Sequence, residues 1–146
     1  MRAGKTGSIG RCLKLQPDTP SASRLMQHGV ELSELQAARI YVFDWQVGAA
    51  ITLAVPLLGP VILIKRRWLV YDAGGELADN ESLKKLRHEM CHVRQILDWG
   101  GLAYLRRQLW ARVKTGSLYA RASPEERECY TAEARVTCFY RSRQQG

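Results

Sequence analysis

Residues 47–64 run for 18 positions without a formal charge, VGAAITLAVPLLGPVILI. That length touches the lower limit for a helix crossing a bilayer, so the stretch separates a membrane protein from an α+β domain. Pro56, Gly59 and Pro60 argue against one helix, because proline removes a backbone donor and clashes with the preceding turn. The flanks ITLAV and VILI are β-branched and read as two buried strands joined by a turn. The second strand is expected to continue through Lys65, Arg66 and Arg67 to Tyr71, ending at the turn Asp72-Ala73-Gly74-Gly75. A membrane-associated segment over residues 47–64 remains the minor alternative to a cytoplasmic protein.

The strongest helical signal follows. Leu83, Leu86, Met90, Val93 and Leu97 recur at three- and four-residue spacing over residues 81–99, with Asp79-Asn80 as an N-cap and Gly100-Gly101 as a stop. Inside this helix stands His88-Glu89-Met90-Cys91-His92. At about 100° per residue, positions four apart lie on one side of a helix and one turn apart, so two imidazoles can grip one zinc ion. The pair points away from the leucine stripe, so one face packs on the core while the other meets a cleft. Glu89 is placed to take a proton from a zinc-activated water and pass it to a leaving amine.

Such a site needs a third protein ligand. His28, the other histidine, sits beside Gly29 near the start of the chain and reads as solvated. The better candidates lie in Ser123-Pro124-Glu125-Glu126-Arg127-Glu128-Cys129-Tyr130, with Glu126 first and Glu128 as the alternative. Ser123 and Glu126 also form an S-x-x-E capping box that needs no metal. Cys91 and Cys129 read as small buried apolar residues, and the four cysteines show no C-x-x-C pair, so reduced thiols are expected.

The stretch Leu86-Arg87-His88-Glu89-Met90-Cys91-His92-Val93-Arg94-Gln95, followed by Tyr119 and then residues 123–130, resembles a group of small bacterial predicted metallopeptidases of the gluzincin type. These share an H-E-x-x-H-V-x-Q helix and a later P-x-E-x-E-A-like helix. The resemblance implies an α+β fold with a minimal zincin-like core: a small sheet or hairpin beside the active-site helix, then two C-terminal helices, the last donating a glutamate. It places that ligand on Glu126 and implies peptide or protein substrates. Cys129 stands where alanine is usual, and Tyr130 where many gluzincins carry an aspartate that steadies a ligand histidine.

At 146 residues one domain is expected: a flexible basic arm over 1–23, a metallopeptidase-like domain over 24–140 and a polar tail over 141–146. A first short helix should start at Ser33 and end near Phe43. Helices over 102–113, striped by Leu102, Leu105, Leu109 and Val113, and from Ser123 through Phe139 complete the chain. The net charge of +8 favours anionic partners. The basic helix 104–114 offers a surface for them, although Leu109 and Trp110 also suit packing against the zinc helix. The alternative function is therefore a basic module that binds nucleic acid or a membrane surface, its zinc site structural or inactive. Tyr104, Tyr119 and Tyr130 are equal candidates for a hydroxyl that steadies an oxyanion.

Overall fold

The computed structural model describes residues 11–13, 15–44, 50–74, 76–77, 80–116 and 123–144, without the side chains of residues 11 and 137–144. Strands β1 (Arg11–Leu13), β2 (Arg39–Phe43), β3 (Ala50–Val55) and β4 (Gly59–Lys65) form one sheet in the order β1-β2-β4-β3. β2 and β4 run parallel at its centre, and β1 and β3 flank them antiparallel. The uncharged stretch is thus a hairpin over its described part, residues 50–64. Its turn places Pro56 second and Leu57 third, with the Leu58 N–H donating to the Val55 carbonyl at 3.2 Å. Among the described residues no helix is long and apolar enough to cross a membrane.

Several expected boundaries move. β4 ends at Lys65, which pairs with Phe43, and a 3-10 turn (Arg66–Trp68) follows. Tyr71 lies beyond β4, in an isolated bridge to Leu77. The Asp72 carboxylate then accepts from the Gly74 and Glu76 N–H groups, closing the expected turn. The helix anticipated to reach Phe43 is only α2 (Leu32–Ala37), capped by the reciprocal Glu31/Glu34 box and not by Ser33. Ile40-Tyr41-Val42-Phe43 leaves the helix because this β-branched and aromatic run finds strands on both sides. Order also begins before residue 24: α1 (Pro20–Gln27) starts on Thr19 as N-cap and buries Ala22 and Leu25. The expected arm over 1–23 lies outside the described residues only at 1–10 and 14.

Three longer helices follow: α3 (Asn80–Trp99), α4 (Gly101–Thr115) and α5 (Pro124–Gln144). α3 lies on the sheet with Leu83, Leu86, Met90 and Val93 in one core with Ile40, Val42, Ile62 and Ile64, joined by Leu25, Leu35 and Val136. Each large aliphatic side chain buried there contributes about 1.5–3 kcal/mol relative to exposure. Ile96 occupies the end of the stripe, where Leu97 was expected, and Leu97 is exposed. α4 reverses its anticipated orientation. Tyr104, Gln108 and Ala111 are its buried face, while Leu102, Leu105, Leu109, Trp110 and Val113 point outward.

Candidate metal centre

α3 and α5 build the site together. His88 and His92 stand one turn apart on α3, both buried. From the first turn of α5, Glu126 reaches between them, Oε2 lying 3.4 Å from His88 Nε2 and Oε1 lying 3.3 Å from His92 Nε2. The Ser123 hydroxyl accepts from the Glu126 N–H at 3.3 Å, so the capping role is real. The Glu126 carboxylate, however, serves the histidines. One donor atom from each of the three residues lies within 4.8 Å of the others, a group that could hold a metal ion.

The far side of each ring is also fixed. His88 Nδ1–H donates to Glu133 Oε2 at 3.1 Å, and His92 Nδ1–H donates to Gln95 Oε1 at 3.0 Å. Gln95 is itself held, donating to the Glu125 carbonyl and to Glu128. Both Nε2 atoms are thereby turned toward Glu126, as ligand histidines are when an outer partner fixes their tautomer. A tetrahedral ion with bonds of about 2.0–2.1 Å keeps its donors about 3.3–3.4 Å apart. The two histidine–glutamate separations, each to a different carboxylate oxygen, are of that size, and the three residues could hold a metal ion.

The sequence-derived candidates sort clearly. His88, His92 and Glu126 converge. Glu128 does not; its carboxylate accepts from Gln95 and supports the ring of His92 at one remove. His28 closes α1, its carbonyl accepting from Arg87 Nε at 3.0 Å, and it stands outside the group. Glu89 lines the same cleft of about 250 Å³ as His88, His92 and Glu126, and its Oε2 accepts from the Thr52 hydroxyl at 2.5 Å. Cys129 is buried with its sulfur 3.5 Å from His92 Nδ1, and Cys91 is buried beside it. The thiols of Cys12, Cys91 and Cys129 are free. Tyr104 is buried in the cleft wall, its hydroxyl donating to the Thr52 carbonyl at 3.3 Å, whereas the Tyr130 ring sits edge-on to His88. Tyr119 lies outside the described residues.

Sequence reasoning missed three residues that left signals. Gln95 is the last letter of H-E-x-x-H-V-x-Q and falls one turn beyond His92. Glu133 follows Glu126 by seven positions, two turns on the same face, and does the work sought at Tyr130. Thr52 carries the only hydrogen-bonding side chain in the uncharged stretch.

Opposite charges balance within the cluster. Burial disfavours the His88 imidazolium, but hydrogen bonds to Glu126 and Glu133 and the charge of Glu89 outweigh it and raise the pKa to about 9. His92 is raised for similar reasons. Burial would raise Glu126, yet both histidines hold its pKa down at about 2. The signs define a window for metal-free protein. The Glu126 contribution is present above the usual carboxylate value of 4.5 and fades as pH falls toward 2. The His88 contribution is full below 6.5 and is lost as pH rises through about 9. Thermal melts of chelator-treated protein should therefore peak between about pH 4.5 and 6.5. A metal ion held by His88 would have to displace its proton, so affinity for that ion should rise with pH up to about 9, measured by competition with a chromophoric chelator. No family model, no curated protein and no solved structure matches this chain.

Proposed function

We propose that this chain is a zinc-dependent metallopeptidase of the gluzincin type, with His88, His92 and Glu126 holding the ion and Glu89 as general base and acid. The observation that carries the reading is the convergence of Glu126 on both Nε2 atoms, with the Glu89 carboxylate facing the same cleft. Zinc, when bound, polarises a carbonyl and lets a water ionise near neutral pH. Glu89 accepts the proton of the attacking water and returns it to the leaving nitrogen. The Thr52 hydroxyl holds that carboxylate in place, and the Tyr104 hydroxyl holds the carbonyl of Thr52. Glu133 and Gln95 keep the two rings aimed.

A peptide substrate is favoured by the strand that borders the cleft. β3 is the sheet's edge, and Ala50, Ile51, Thr52, Leu53 and Ala54 line the opening. An edge strand offers unpaired peptide groups on which an extended chain can dock as one more strand. Zinc-loaded protein should cleave members of a library of unstructured peptides. Chelator-treated protein and the zinc-depleted variants His88→Ala and His92→Ala should not. Equal cleavage by loaded and stripped protein rejects the proposal.

A further inference from the structure

The outward face of α4 is largely apolar. Leu102 is 83% exposed, Leu109 52%, Trp110 63% and Val113 73%. At about 100° per residue, Leu102, Leu109 and Val113 lie half a turn from the buried Tyr104, Gln108 and Ala111, so one narrow stripe faces away from the domain. Arg106 stands within the stripe, and Lys114 and Arg107 lie beyond Trp110 on its flank, all exposed, with the Arg107 guanidinium 4.2 Å from the Trp99 ring. No acidic residue occurs between Gly101 and Thr115.

The hairpin tip lies near the start of α4. The first turn of α4 abuts the end of β3: a methyl group on Gly101 would lie 3.2 Å from the Ala54 Cβ. The tip beyond Val55 therefore lies at the same corner. There Leu57 is fully exposed, Leu58 is exposed, and Leu57 adopts φ +68°. The third position of such a turn favours glycine, and a bulky residue there is strained. An apolar side chain at that position gains nothing from the fold around it.

We infer that α4 and the β3–β4 tip form a seat for an anionic lipid surface, with the leucines, Val113 and Trp110 entering the headgroup boundary and Arg106, Arg107 and Lys114 meeting lipid phosphates. Charge selects this occupant. A second copy docked through the same face would set basic residues against basic residues, with no α4 carboxylate to pair them. An apolar stripe with basic borders and too little length to span is the pattern of a helix lying in the interface. Tyr104 and Gln108 on the inner face of α4 line the cleft, so a seated helix stands between the cleft and the bilayer. The inference stands independently of hydrolysis.

The test is co-sedimentation of the full chain with vesicles of phosphatidylcholine alone or mixed with phosphatidylglycerol. The mixed vesicles should bind it, with affinity falling as salt rises. Arg106→Gln/Lys114→Gln should weaken binding about fivefold per charge, on the order of 25-fold together. Leu102→Gln/Leu109→Gln/Val113→Gln should weaken it at least about tenfold while leaving the melting temperature and zinc content unchanged. Leu57→Gly relieves the strained turn, so it should fold at least as well and still bind vesicles about tenfold less tightly. Absence of binding to mixed vesicles overturns the inference, as does equal binding to both compositions. Self-association or duplex DNA binding through the same residues, without vesicle binding, overturns it in favour of another partner.

Discussion

Glu89→Gln should retain stoichiometric zinc and lose hydrolysis by about 10²–10⁴-fold, which is roughly 3–5 kcal/mol of transition-state stabilisation. The substitution removes little except the proton acceptor. Glutamine is close in shape to glutamate, and its amide oxygen can still accept from the Thr52 hydroxyl that holds Glu89. Glu89 stands outside the group formed by His88, His92 and Glu126, so the ion's donors are untouched. The loss should therefore fall on kcat with KM little changed, the signature of an interaction made only in the transition state. Steady-state kinetics on the best peptide of the library, with metal analysis of the same preparation, measures both. A variant that turns over at the parental rate with its zinc in place removes Glu89 from the mechanism.

Local patterns make the helix of His88 and His92 legible without any tertiary contact. The three- and four-residue spacing of Leu83, Leu86, Met90 and Val93 fixes both the helix and the face it buries, and that fixes where His88 and His92 point. Pro56 and Gly59 likewise mark the hairpin turn. The errors occur where pairing partners are remote. Ile40-Tyr41-Val42-Phe43 is a strand because β1 and β4 flank it, and the second of these arrives some twenty residues later. The leucine stripe of α4 is a sound amphipathic signal, but the fold leaves its apolar side uncovered. Periodicity tells which residues share a face, and only packing tells which face is inside.

The ligand set separates most sharply in the acidic residues of α5. Glu126→Ala removes the carboxylate that meets both Nε2 atoms, leaving two imidazoles to hold the ion. Glu133→Gln keeps all three donors but weakens the partner that aims His88, and such outer partners are worth about 10–100-fold in metal affinity. Glu128→Ala removes only a support of Gln95, two steps from the ion. Competition with a chromophoric chelator should accordingly rank Glu126→Ala as the greatest loss, well beyond 100-fold, with Glu133→Gln intermediate and Glu128→Ala near the parental protein. The pH dependence adds a check that simple unfolding would not reproduce. Glu133 helps hold the His88 proton, so its loss should make that proton easier for the metal to displace at low pH, even as the ring becomes less well aimed. Glu133→Gln should then show a shallower rise of zinc affinity between pH 6.5 and 9 than the parental chain. A Glu126→Ala variant that binds zinc as tightly as the parent, alongside a Glu128→Ala variant that does not, would reassign the third corner of the site to Glu128.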